Sequence, residues 1–197
     1  MSVDPELLPP YDGIRLADVR LVRTPLDAAA ALAALSQADV IGFDTESKPT
    51  FAKGEVSTGP HLVQLATDEL AYLFQIGSAA SAQTALTVLK PVLESETILK
   101  VGFGLGDDLK RLRAKLGVET HNVLDLSTAL RRRGERNTLG AKTAVARFFG
   151  QKLQKSRRIT TTNWALPHLS DKQVLYAADD AHVALRIYRL WKAGPGE

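Results

Sequence analysis

The chain has 197 residues, enough for about one domain with a sizeable core, and its 45% hydrophobic and 24% charged content matches ordinary globular proteins, which excludes wholesale disorder. No apolar run is long enough to span a bilayer, and the start Met1-Ser2-Val3-Asp4-Pro5 lacks the regions of a signal peptide, so a cytoplasmic protein with no membrane partner is expected. The absence of cysteine excludes disulfides and thiolate metal sites. Any metal must be held by oxygen or nitrogen, and oxygen donors favour magnesium or manganese.

In chain order, residues 1–13 are Pro-rich and expected to be an irregular N-terminal extension, with 14–197 a single domain. Residues 14–22 alternate loosely and suggest a strand, although Asp18 weakens the pattern. The Ala- and Leu-rich run after Pro25 predicts a helix, followed by a strand over 40–44 that runs into Asp44-Thr45-Glu46. Side chains alternate faces on a strand, so Asp44 and Glu46 point the same way and invite a cation, because two bare carboxylates side by side repel. Residues 47–60 carry Pro49, Gly54, Gly59 and Pro60 and read as an exposed loop beside these acids, on which Phe51 and Lys53 are candidates to touch a substrate.

Residues 62–67 and 71–76, separated by Asp68-Glu69, predict an antiparallel hairpin, and a helix follows over about 81–94. A short strand over 97–101 ends in Gly102, Gly104 and Gly106 before an amphipathic helix over 107–116, with Asp107 expected as its N-cap. The glycines do not make a dinucleotide-binding loop, since Asp107 stands where the third glycine belongs. Another strand is expected over 122–126, then short helices to Gly150.

Residues 131–158 hold ten Lys or Arg against one acid, Glu135, although the whole chain carries only +3. Such a concentration suits a polyanion. The last long helix, capped by Ser170 with Gln173 three residues on, is predicted to run through Trp191, with Leu175 among its apolar residues. Tyr176 and Asp180 share a face of it, while Asp179 is turned away by about 100°. His61, His121, His168 and His182 show no ligand spacing and read as surface or structural residues. Trp164 could stack on a base or pack in the core.

Taken together, Phe43-Asp44-Thr45-Glu46, Leu62-Val63-Gln64-Leu65-Ala66-Thr67, Val101-Gly102-Phe103-Gly104 with Asp108, Asn163-Trp164, and Tyr176-Ala177-Ala178 with Asp180-Ala181 resemble the DEDD family of 3′ to 5′ exonucleases. The match is to its tyrosine-bearing branch, which includes ribonuclease D and the Werner-type exonuclease domain. Leu175 stands where the histidine branch needs its histidine. Asp107 and Asp108 both lie near the second motif, and the ungapped match through Leu109-Lys110-Arg111-Leu112 selects Asp108.

The resemblance implies an α/β, ribonuclease H-like exonuclease fold, a mixed β-sheet flanked by helices. It implies that Asp44, Glu46, Asp108 and Asp180 hold two divalent cations, Mg²⁺ or Mn²⁺, while Tyr176 positions the attacking water. The implied substrate is single-stranded RNA or DNA with a free 3′ end, shortened to nucleoside 5′-monophosphates. Thr45, Phe51, Lys53, Lys155, Arg157, Arg158 and Trp164 are the candidate nucleic-acid contacts. The alternatives are a non-catalytic nucleic-acid-binding module and an endonuclease-type metal phosphohydrolase on the same fold. Nothing in the sequence specifies an oligomeric state.

Overall fold

A computed structural model describes residues 7–50, 54–132, 134–155 and 157–194. Phe51 and Lys53 lie outside the described residues, as does the side chain of Arg157. The strands β1 (Val19–Leu21), β2 (Val40–Glu46), β3 (Leu62–Ala66), β4 (Ala71–Gln75), β5 (Leu99–Gly102) and β6 (Val123–Asp125) form one sheet in the order β1-β4-β3-β2-β5-β6. β2, β3 and β4 pair antiparallel, whereas β1 joins β4, and β5 and β6 continue from β2, in parallel. The sheet is therefore mixed, as expected.

Alternation along the strands sends two apolar sets to opposite sides. Ile41, Phe43, Val63, Leu65 and Phe74 pack on one face against α1 (Pro25–Leu35) and α2 (Ala79–Leu93). On the other face Leu62, Ala66 and Leu73 meet Val174, Ala177, Ala178 and Ala181 of the long helix α7 (Asp171–Ala193). Full burial of each large apolar side chain contributes about 1.5–3 kcal/mol, so both layers are held firmly to the central strands. Between these elements the chain forms α3 (Gly106–Leu116), α4 (Leu126–Ala129), α5 (Ala141–Phe149) and α6 (Arg157–Thr160).

Gly42 sets how closely α7 approaches. A Cβ at this position would collide with the carbonyl oxygen of Ala181, so only glycine lets the helix backbone lie directly on β2. The N-terminus of α7 is fixed by the capping box read from the sequence: Ser170 accepts from the Gln173 amide, and the Gln173 side chain accepts from the Ser170 amide.

Several boundaries depart from the sequence expectation. The strand over 14–22 contracts to Val19–Leu21, because Leu16–Asp18 form a 3₁₀ turn clipped by an Arg15–Asp18 ion pair of 2.8 Å and the Ile14 amide donates to Asp179 rather than to a ladder. The helix expected from 81 begins at Ala79, with Ser78 as its cap. Asp107 is not an N-cap: α3 starts one residue earlier at Gly106, and the Gly104 and Leu105 amides donate instead to Asp125 at the end of β6. Leu175, placed on the apolar side, is 38% exposed. Residues 7–13 are docked on the domain: the Tyr11 amide donates to the Lys152 carbonyl, the Lys152 amide donates to the Pro9 carbonyl, and Arg186 donates to the Tyr11 hydroxyl and the Asp12 carbonyl. No helix among the described residues is long and apolar enough to cross a membrane.

Candidate active site

The carboxyl end of β2 carries Asp44 and Glu46 toward α7, and α7 brings Asp180 down on them through the Gly42 contact. One carboxylate oxygen from each of Asp44, Glu46 and Asp180 lies within 4.8 Å of the others. Asp180 itself is buried, and the two β2 acids are partly buried. Three acids so close in a desolvated place resist ionisation. Burial, followed by the charge of Asp180, pushes Asp44 well above the ordinary carboxylate range, with Lys155 opposing. Burial and the Asp44 charge raise Glu46 to about 9. Burial raises Asp180 as well, against the stabilising pull of Lys155 and the Tyr176 hydroxyl.

Asp108 stands outside this tight group. Alternation turns Thr45 to the far side of β2 from Asp44 and Glu46, and its hydroxyl donates to Asp108 Oδ1 at 2.5 Å. Asp108, in the first turn of α3, is thereby tied to the same strand end from the other direction, and its charge is among the influences that raise Asp44 and Glu46. Asp107 faces solvent and pairs with Lys110 at 3.3 Å, whereas Asp108 takes the Thr45 hydroxyl.

Lys155 is the cation in the cluster. Its Nζ lies 2.7 Å from Asp180 Oδ1 and 5.5 Å from the centre of the Tyr176 ring. Burial works against its charge, but Asp180 and the neighbouring acids outweigh that and hold the ammonium well above its ordinary pKa. Tyr176 reaches the cluster one helical turn before Asp180, and its hydroxyl also meets Thr160 Oγ1 at 2.9 Å. Burial, then the Asp180 charge, pushes the phenol up to about 12, so it stays protonated and can donate.

Among the proposed nucleic-acid contacts, Trp164 is 1% exposed, and its ring packs in the core 6.0 Å from Tyr176. It buttresses Tyr176 and offers no free face to a base. Thr45 is 7% exposed with its hydroxyl held by Asp108, so it orients an acid instead of facing substrate. Arg158 is exposed on α6. His61 and His182 are buried; the His61 ring accepts the Lys48 amide and the His182 ring lies 3.3 Å from the Asp68 carbonyl, both structural contacts. Two partners had no motif to announce them. Thr160 meets the Tyr176 hydroxyl from the short helix α6, and Asp179, beside Asp180, holds the Ile14 amide at 3.2 Å.

The donor set fits a hard divalent cation. All three clustered ligands are oxygen, Lys155 meets one of them, Asp180, and a bound cation would supply the further positive charge that lets them ionise together.

Compared with known proteins, residues 19–192 match the family described as 3′–5′ exonuclease. The mouse bifunctional 3′–5′ exonuclease/ATP-dependent helicase WRN is 30% identical over 79% of the chain, which spans 11% of that relative's length. The crystal structure of the Aedes aegypti Nibbler EXO domain superposes with a TM-score of 0.77 at 26% identity, covering 91% of this chain and 89% of that one. Trypanosoma brucei RNase D in complex with RNA U12 superposes with a TM-score of 0.75 at 23% identity, covering 87% of this chain and 61% of that one. The fold is thus the ribonuclease H-like exonuclease fold.

Proposed function

The chain belongs to the 3′–5′ exonuclease family, and from that premise we propose that it hydrolyses single-stranded nucleic acid stepwise from the 3′ end, releasing nucleoside 5′-monophosphates, with two Mg²⁺ or Mn²⁺ ions. The observation that carries the reading is the Asp44, Glu46 and Asp180 group, with ligand atoms within 4.8 Å, beneath the protonated hydroxyl of Tyr176. Asp44, Glu46 and Asp180 would hold the ions, with Asp108 joining them from the Thr45 side. Bound there, two cations supply an activated water and stabilise the charge on the leaving 3′ oxygen.

The residues of the chain do the rest. Tyr176 donates a hydrogen bond that orients the attacking water, since a phenol with a pKa near 12 is a poor base at neutral pH. Thr160 and Trp164 hold the ring of Tyr176 in place. Lys155, whose ammonium lies 2.7 Å from Asp180, is the cation placed to pair with a phosphate oxygen of the terminal linkage. Arg157, Arg158 and the remaining basic residues of 131–158 draw in the backbone. RNA is the first substrate to try, because a structural neighbour holds RNA.

The test is an oligonucleotide labelled at its 5′ end, incubated with the protein and Mn²⁺ or Mg²⁺. A ladder shortening from the 3′ end, abolished by chelator, supports the reading. Cutting of a circular single strand would instead point to an endonuclease, and activity that survives chelation would overturn the metal mechanism.

A further inference from the structure

Gln64 lies in β3, directly opposite Asp44 in the antiparallel β2–β3 register, so both side chains emerge on the face covered by α7. It is completely buried. Its neighbours on that face are Leu62 and Ala66 along the strand and Leu73 across it, under the alanines of α7. Among the described residues, neither its Oε1 nor its Nε2 has a hydrogen-bond partner. A buried amide with no partner destabilises a fold, and an apolar side chain of the same shape would remove that penalty. Directly opposed residues in such a ladder have Cβ atoms about 4.5–5.5 Å apart. A glutamine side chain is therefore long enough for its amide to reach the carboxylate of its partner, or a water lying on it.

We infer that Gln64 is a positioning residue for the metal-binding carboxylate Asp44. Its Nε2 would donate to the carboxylate edge of Asp44 in the orientation that ligates a cation. The backbone amide of Thr45 already donates to Asp44 Oδ1 at 2.8 Å, so Gln64 completes a second point of attachment and fixes the orientation of the carboxylate. Loss of a hydrogen bond to a ligand from behind commonly costs about 10–100-fold in metal affinity or activity. The inference rests on the metal-dependent reading above, and metal binding can be measured without turnover.

Wild type and the variants Gln64→Met and Gln64→Asn are compared by Mn²⁺ titration, by melting temperature with and without Mn²⁺, and by cleavage at saturating Mn²⁺. Gln64→Met keeps the volume and removes the amide. It is expected to melt above wild type without metal, to need about tenfold more Mn²⁺ for half-saturation, and to turn over about tenfold more slowly. Gln64→Asn keeps the amide but shortens its reach, and the same loss of Mn²⁺ affinity is expected. It decides the matter should the methionine variant fail to fold. A purely structural glutamine shifts melting alone: unchanged Mn²⁺ affinity and turnover in the variants overturns the inference and leaves the exonuclease reading standing. Wild-type protein that binds no Mn²⁺ overturns the metal reading itself, and the role of Gln64 falls with it.

Discussion

The two halves of α7 treat charge in opposite ways. Toward its C-terminus Arg189 grips Asp39 through two hydrogen bonds of 2.7 and 2.8 Å and reaches Asp68 at 2.9 Å, while Arg186 donates to Tyr11 and to the Asp12 carbonyl. Opposite charges meet there near solvent, and each group is satisfied. Toward the N-terminus the same helix presses Asp180 against Asp44 and Glu46, where three carboxylates share the ammonium of Lys155. One end is neutralised for stability. The other gathers three acids in a dry place, where their ionisation is unfavourable until a cation arrives.

The strongest way to break the contrast is to remove Asp44. Asp44→Asn is expected to reduce cleavage by about 10³-fold or more, since charge stabilisation worth several kcal/mol is lost. Its metal-free melting temperature should hold or rise, because a buried acid that resists ionisation gives way to a neutral amide. A variant that instead unfolds would show Asp44 to be part of the scaffold.

Gly42→Ala attacks the same site from behind. The added methyl meets the Ala181 carbonyl and pushes α7 off β2, at about 1–3 kcal/mol of stability. Displacing Asp180 and Tyr176 by even an ångström should lower cleavage about 100-fold. Denaturant melts and the oligonucleotide assay together check both numbers.

The titration of Glu46 gives a third measurement. Its folded pKa of about 9 lies above the unfolded value of about 4.3, so between these pH values the native state keeps a proton that the unfolded state has released. The stability it contributes is full below about pH 4 and is lost as pH rises through about 9, by up to about 1.4 kcal/mol per unit. Metal-free protein in chelator should therefore melt at lower temperature as the buffer goes from pH 5 to pH 9. Mn²⁺ or Glu46→Gln should flatten that slope.

The smallest effect belongs to the other end of the helix. Arg189 holds Asp39 at about pKa 2, but the Asp39 side chain is 70% exposed, which screens the pair. Its contribution is present above about pH 4 and is lost as pH falls through about 2. Asp39→Asn should cost about 0.5–1 kcal/mol, less in high salt, and should leave cleavage unchanged.

Sequence periodicity carried much of this. The alternation of β2, the hairpin β3–β4 and the Ser170–Gln173 capping box are local codes, and local codes can be read from neighbouring letters. The pairing of Tyr176 with Asp180 follows from helical spacing for the same reason. What escaped depends on contacts between residues far apart in the chain. Asp125 takes the amides at the start of α3 from 20 and 21 residues away, which displaced Asp107 from its expected cap. Trp164 disappears under the sheet, and Lys155 reaches Asp180 from an irregular segment with no period of its own. Gln64 was legible as a residue of a buried strand, but its lack of a partner is a property of three dimensions.

The odd-and-even order of β2 has one more consequence. Asp44 and Glu46 turn toward α7 and Thr45 toward Asp108 only because exactly one residue separates the acids and the strand is registered on β3. A substitution here removes one ligand and leaves the others where they are. Inserting or deleting a single residue after Gly42 would exchange the faces of all three at once. The site is written as parity, and a frame error of one residue erases it more completely than a change of letter.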